Sequence, residues 1–218
     1  MSGGARYVPA AGRAWLTRAY DPMLALTMRE SRWRSVVVRE ALAAGGAAVD
    51  VGAGTGAQSL ALAEAGTRVI AVDGDPQALA IAQRKGRAET VEWRVGLADS
   101  LPVESGSVDA VVMALLLHHL DGEGKRAALR EAARVLRGGG RLCAADWGAP
   151  RGAIANVGAR VLSAVDGAAG LGDHLDGRLT DCLEDGGFGT VRVVQRVGTV
   201  WGTLDVLTAQ PRATRPAS

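Results

Sequence analysis

Phenylalanine is nearly missing from this 218-residue chain, which has one, together with two tyrosines and two cysteines. The two cysteines, Cys143 and Cys182, are too few and too far apart for a disulfide framework or a metal-ligand set. No metal site is therefore expected, and a reducing cytoplasm is the expected location. Only two lysines occur, Lys85 and Lys125; arginine carries almost all of the positive charge, and the formal net charge is +2. So small an excess makes no electrostatic case for nucleic acid as a partner. The longest unbroken apolar run, Ala110 to Leu117, is far too short to span a bilayer. No charged start followed by an apolar block marks the N-terminus, so no signal peptide and no transmembrane segment are expected.

Apolar residues make up 48% of the chain and charged residues 22%, ordinary values for a globular protein. The length suits one compact domain with a real core. Residues 12–20 carry Trp15, Leu16 and Tyr20 at helical spacing. Asp21 then reads as an N-cap and Pro22 as the first residue of a helix running to about Ala44, stopped at Gly45-Gly46. From there strand and helix patterns alternate: a strand from Ala47 to Val51, a helix over 55–65, a strand from Arg68 to Val72, and a helix from Asp75-Pro76 to about Lys85. Val91, Trp93 and Val95 alternate as a strand, and Ala110 to Met113 reads as a central one. An amphipathic helix over 123–137, closed by Gly138-Gly139-Gly140, precedes a strand from Arg141 to Ala145. Helices near 153–165 and 175–185 and a hairpin of Val191–Val197 with Leu204–Thr208 complete the chain.

This pattern predicts an α/β fold: a Rossmann-like, mostly parallel sheet with helices on both faces, an antiparallel C-terminal hairpin and an N-terminal helical cap. The expected organisation is a single domain. Residues 1–45 form the cap, 46–146 the cofactor-binding core and 147–209 the acceptor-side helices and hairpin, with a frayed tail at 210–218.

The chemistry starts at VDVGAGTGAQSLA, residues 49–61. A strand, a glycine loop and a helix in that order hold nucleotide-like ligands. Read as Gly52-x-Gly54-x-x-Ala57, the loop suits a dinucleotide. Read as Asp50-x-Gly52-x-Gly54-x-Gly56, it suits S-adenosylmethionine. Asp50 stands two residues before the first glycine; a carboxylate there disfavours phosphate and suits a ligand carrying an ammonium and a sulfonium, unless it merely caps or faces solvent. Asp73 ends the second strand, where an acid can accept both ribose hydroxyls of either cofactor. The antiparallel hairpin and the long segment ahead of the first strand fit a simple dinucleotide domain poorly.

Five motifs extend this signature in order: VDVGAGTG at 49–56, VIAVDGDP at 69–76, GLADSLPVESGSVDAVV at 96–112, LLHHL at 116–120 and EAARVLRGGGRL at 131–142. Together they resemble the class I S-adenosylmethionine-dependent methyltransferases, in particular the ubiquinone/menaquinone-biosynthesis C-methyltransferase type. The segment at 176–194 resembles the last helix and hairpin of that family, and YVPA at 7–10 with WLTRAYDP at 15–22 the cap of some members.

The resemblance implies S-adenosyl-L-methionine as cofactor, S-adenosyl-L-homocysteine as product and methyl transfer to a small-molecule acceptor by a monomer or homodimer. By the same resemblance Gly52, Gly54 and Gly56, with Thr55 beside them, let the backbone pass close to the cofactor. Asp50 faces the methionine amino group, and Asp73, with Gly74, holds the ribose. Ala98 meets the adenine edge with its N–H, and Ala114 offers its carbonyl to the amino-acid moiety. One departure stands out: Leu97 occupies the place of the usual aspartate that accepts from the adenine amino group. Either Asp99 takes that role or the amino group bonds backbone or water.

Transfer of an activated methyl group needs alignment and exclusion of water, and a general base only if the acceptor arrives protonated. His118, His119, Asp146 and Tyr20 are the catalytic candidates, and His174 lies in the region expected to cover the acceptor. Each has a plainer reading: the histidines as loop residues, Asp146 as a helix cap, Tyr20 as cap packing. Trp15, Trp33, Trp147 and Trp201 suit the walls of an apolar, ring-bearing or quinone-like acceptor pocket, with core packing as the alternative. The chain has no Asn/Asp-Pro-Pro-Tyr motif of nucleobase-amine methylation, no acidic set of the Mg-dependent catechol type and no arsenite-type cysteine set. A non-catalytic binding module on the same fold and an NAD(P)-linked oxidoreductase are the competing readings.

Overall fold

The structure is a computed structural model that describes residues 28–85, 90–152, 155–159, 172 and 174–212. Tyr20, Trp15 and the segment from Asp21 to Thr27 lie outside the described residues. Seven strands form one sheet: β1 (Ala47–Val51), β2 (Arg68–Asp73), β3 (Val91–Val95), β4 (Val108–Ala114), β5 (Leu136–Gly148), β6 (Phe188–Thr199) and β7 (Gly202–Pro211). Their order is β3-β2-β1-β4-β5-β7-β6. The first five run parallel, and β7 pairs antiparallel with both β5 and β6. The expected mostly parallel sheet with an antiparallel end is thus present.

Helices cover both faces, as the strand alternation requires. On one face α1 (Glu30–Leu42) and α2 (Ala57–Glu64) bury Trp33, Val36, Val37, Ala41 and Leu62 against Ala48, Ala110, Val112, Cys143 and Ala145. On the other, α4 (Gly122–Val135) and α5 (Leu179–Asp185) bury Leu129, Ala132 and Leu183 against Val49, Val111, Met113 and Leu142. Between them in sequence, α3 (Pro76–Lys85) joins β2 to β3. The apolar spacing of α1 is helical, and Glu30 pairs with Arg34 one turn later at 2.7 Å.

Several boundaries differ from the sequence reading, each for a local reason. The helix expected from Asp21 to Ala44 is not continuous: Arg29 stands at φ 50 immediately before α1, a left-handed conformation that no helix interior accepts. The helix expected over 123–137 ends at Val135, and Gly138 to Gly140 belong to β5 rather than closing it. The last carbonyls of α4, on Arg134 and Val135, accept the N–H groups of Gly106 and Ser107 at 2.9 Å, so the helix hands over to the sheet edge without a glycine cap. Gly140 is required for another reason: a Cβ there would lie 2.9 Å from the Asp109 carbonyl oxygen. The helix expected over 175–185 is interrupted at 176–178, where Gly177 has φ 81. Of the helix expected over 153–165, residues 155–159 are helical and the others lie outside the described residues.

Candidate functional site

The C-terminal ends of the parallel strands carry nearly all of the singled-out residues, the edge at which open α/β sheets bind ligands. After β1 the chain turns through Gly52, Gly54 and Gly56, all at positive φ (71, 52 and 82). The three are not equivalent. A Cβ on Gly56 would lie 2.6 Å from the Trp93 ring and 2.7 Å from Ala82, and one on Gly52 would lie 2.9 Å from Leu116. A Cβ on Gly54 would meet nothing within 4 Å, so it would project into open space. Gly52 and Gly56 thus pack the loop onto its neighbours, whereas Gly54 leaves room above it.

Asp73 fixes this loop. Its Oδ2 accepts the Gly54 N–H at 2.7 Å and its Oδ1 the Asp75 N–H at 2.8 Å. Its backbone carbonyl takes the Gly96 N–H at 3.0 Å, which brings the turn bearing Leu97, Ala98 and Asp99 alongside. Asp99 is half-buried and Leu97 is 41% exposed, so the apolar side chain in the acid's usual place faces outward. Ala114 ends β4, one residue beyond the pairing of Met113 with Val51, and Leu115 follows at φ 55 with its N–H on the Ala145 carbonyl.

Asp50 is buried (1% exposed), and its Oδ2 accepts the Ser59 hydroxyl at 2.5 Å. Burial pushes its carboxyl up to about 7; the Ser59 hydroxyl and the nearby Arg34 charge pull the other way without prevailing, and Asp73 adds to the rise. Ser59 escaped the sequence reading because nothing in a nine-residue separation marks it as a partner; only the turn into α2 brings it there.

A second acid, Asp146, is treated oppositely. It is fully buried on the α4 side of β5, and both oxygens are occupied. Oδ2 accepts the N–H groups of Leu117 at 2.8 Å and His118 at 3.3 Å. Oδ1 accepts the Trp147 N–H at 2.8 Å and faces Nδ1 of His118 at 2.7 Å. His174 Nδ1 lies 3.6 Å away, within ion-pair distance but too far for a hydrogen bond, and neither of its ring nitrogens has a hydrogen-bond partner. Burial alone would raise this carboxyl; the two imidazoles outweigh it and hold it well below the usual carboxylate range. An ionised Asp146 accepts only, so Nδ1 of His118 donates and, in the neutral ring, Nε2 keeps the lone pair. His118 is 6% exposed, while His119, its ring centroid 3.9 Å away, is exposed.

The candidates thus separate. Asp50, the glycine loop, Asp73, Gly74, Ala98, Asp99, Ala114, His118, His119 and Asp146 gather at one sheet edge, and His174 joins Asp146 there. Trp33 and Trp147 are buried in the α1-side core, so their part is packing; Trp201 is half-buried. A cleft of about 580 Å³ lined by Arg68, Ile70, Glu92, Arg94 and Val103 lies around the starts of β2 and β3, at the other end of the strands. Among the described residues no group of three or more His, Cys, Asp or Glu could hold a metal ion, and no helix is long and apolar enough to cross a membrane.

Residues 49–144 match the family model of a methyltransferase domain. The chain is 33% identical over 144 residues to the demethylmenaquinone methyltransferase of Tropheryma whipplei, covering 64% of this chain and 59% of that protein. It is 35% identical over 119 residues to the ubiquinone/menaquinone biosynthesis C-methyltransferase of Rubrivivax gelatinosus, covering 54% and 46%. The chain thus spans about half the length of the curated relatives it matches. Its fold is that of the YcgJ protein from Bacillus subtilis (TM-score 0.66, 18% identity, 84% of this chain and 100% of that one). It is also that of magnesium protoporphyrin IX methyltransferase from Synechocystis, solved with bound S-adenosylhomocysteine (TM-score 0.66, 20% identity, 96% and 90%).

Proposed function

We propose that this chain, whose residues 49–144 match a methyltransferase-domain model and which is similar over part of its length to ubiquinone/menaquinone-type C-methyltransferases, transfers a methyl group from S-adenosylmethionine to a small apolar, ring-bearing acceptor such as a quinol. The observation that carries this reading is the bond of Asp73 to Gly54, which sets a nucleotide-type acid against a glycine loop with open space above it.

The residues present fit the cofactor. The backbone of Gly52, Gly54, Thr55 and Gly56 lines its path, and only the Gly54 position would fill that space if it bore a side chain. Asp73, though bonded to two N–H groups, keeps lone pairs for ribose hydroxyls, with Gly74 beside it. Asp50 answers an ammonium: the charge that burial now opposes becomes favourable beside a cation. Ala98 and Asp99 serve the adenine edge, and the Ala114 carbonyl serves the amino-acid moiety. When bound, S-adenosylmethionine supplies a methyl group already activated by its positive sulfur.

What remains for the chain is alignment, exclusion of water and the handling of one proton. His118 Nε2 takes that proton from the acceptor. Asp146 acts through His118, fixing the ring's tautomer and orientation and stabilising its cationic form, as the acid of an Asp–His pair does in other enzymes. The relatives named for demethylmenaquinone support a quinol-type acceptor.

The test is transfer of labelled methyl from S-adenosylmethionine to a short-chain demethylated naphthoquinol kept reduced. Labelled product from the wild-type protein, and none after Gly54→Arg, is expected. Cofactor binding without transfer to this or other hydroxylated rings would remove the acceptor reading and favour a binding module.

A further inference from the structure

A polar bracket ties α4 to the loop between β3 and β4 and has no part in the chemistry above. On α4, Glu131 and Arg134 are one turn apart and pair two-pronged: Arg134 Nε to Glu131 Oε1 at 2.7 Å, and Nη2 to Oε2 at 2.7 Å. The same guanidinium donates outward to the loop between β3 and β4. Nη1 reaches the Val103 carbonyl at 2.9 Å and the Ser105 hydroxyl at 3.1 Å, and Nη2 reaches the Leu101 carbonyl at 3.1 Å. Glu131 Oε2 accepts the Leu101 N–H at 2.8 Å, closing the ring of bonds. From β3, Arg94 donates to the Pro102 carbonyl. The side chains of Leu101 and Val103 are meanwhile buried in the α4-side core.

The loop is therefore anchored twice. Its start is held by the Gly96 N–H on the Asp73 carbonyl, and its far part by Arg134 and Glu131. Between the anchors, residues 97–100 form a tight turn with the Ser100 N–H on the Leu97 carbonyl at 3.1 Å. This turn carries Ala98 and Asp99. Leu97 offers no side-chain acceptor, so recognition at this turn falls on backbone groups and Asp99, and their placement has to be set by the backbone's own anchors. A planar guanidinium can hold two carbonyls and a carboxylate at once; a lysine ammonium cannot reproduce that fork.

We propose that Arg134, seated in Glu131, is a positioning residue for the nucleoside half of the cofactor: it sets the height of the 97–100 turn against Asp73 and thereby the affinity for the adenosine moiety. This rests on the assignment of that turn to adenine under the proposed function.

The experiment is calorimetric titration of the full chain with S-adenosylhomocysteine and with 5′-methylthioadenosine, which keeps the adenosine half and lacks the amino acid. Arg134→Lys is expected to weaken both ligands by the same factor, about tenfold for the loss of charge-assisted bonds. Glu131→Gln, which keeps an oxygen for the Leu101 N–H, should act in the same direction and less strongly. Arg137→Lys, whose partner is Asp109 at 2.9 Å, should leave both affinities unchanged. Wild-type affinity in Arg134→Lys, whatever its melting temperature, would overturn the proposal, and so would a loss confined to S-adenosylhomocysteine. If Arg134→Lys does not fold, Glu131→Gln decides by the same two readings. A wild-type protein that binds neither ligand would overturn the cofactor reading first and this proposal with it, so the two failures are told apart.

Discussion

The side chain of Asp73 holds the backbone of Gly54 at 2.7 Å, so the acid at the end of β2 and the middle of the glycine loop after β1 form one unit. Asp73→Ala removes an ionised acceptor from two N–H groups. We expect S-adenosylhomocysteine affinity to fall at least about tenfold, with a stability loss of about 1–3 kcal/mol. Titration calorimetry and chemical denaturation on the same variant separate the two effects.

The glycines of the loop should respond differently to the same small substitution. Gly56→Ala places a methyl 2.6 Å from Trp93 at φ 82, so it meets both overlap and left-handed strain and should cost about 3 kcal/mol or more. Gly54→Ala meets open space and only the backbone penalty, about 1–2 kcal/mol. Gly54→Arg should add little to that penalty yet abolish cofactor binding, because its side chain must occupy the space above the loop. Denaturant midpoints for the first pair and a binding isotherm for the third check this ordering.

Burial raises the Asp50 carboxyl from 3.8 to about 7, which makes the fold less stable as pH rises through that window. The folded state keeps a proton there that the unfolded chain has lost, and about three pH units correspond to roughly 4 kcal/mol. Asp50→Asn removes this dependence, so its melting temperature relative to wild type should climb between about pH 4 and pH 7 while its cofactor affinity falls. A difference that stays flat with pH would contradict the buried, weakly satisfied carboxyl. Asp146 has the opposite sign: its lowered carboxyl stabilises the fold above the ordinary aspartate range, and that contribution is lost only as pH falls toward its own low value.

His118 and Asp146 should fail together. His118→Gln removes the nitrogen proposed to take the proton, and Asp146→Asn frees the ring to adopt the other tautomer; each is expected to lower the transfer rate by about 10²–10⁴. Affinity for S-adenosylhomocysteine should change little in His118→Gln. If His119→Gln, at the exposed neighbour, lowers the rate more than His118→Gln does, the base has been assigned to the wrong ring.

The parallel core was legible because its strands are short apolar runs closed by glycine, aspartate or proline, which fix both period and boundary. Asp73 was legible for the same reason: it ends a strand at a set distance from the loop. Asp146 could be placed at a strand end but not understood, since its four donors come from a turn 28 or 29 residues earlier, from its own neighbour and from an imidazole brought in by that turn. Ser59 and the Arg134 bracket were invisible for a related reason; tertiary approach creates their bonds, and no local pattern records it. Gly138 to Gly140 misled the reading because three glycines after an amphipathic helix look like a stop, whereas here the helix ends against Gly106 and Ser107 and the glycines lie in β5. Trp33 and Trp147 look like pocket walls by residue type and are core by position.

On the proposed function, the loop over Gly54, held by Asp73, receives a methyl donor and not a dinucleotide. The measurement that meets it most directly is calorimetric titration of the purified chain with S-adenosylhomocysteine, with NAD as the parallel ligand. Micromolar, one-to-one binding of S-adenosylhomocysteine with no heat from NAD is the predicted result. Binding of NAD, or of neither ligand, would contradict it.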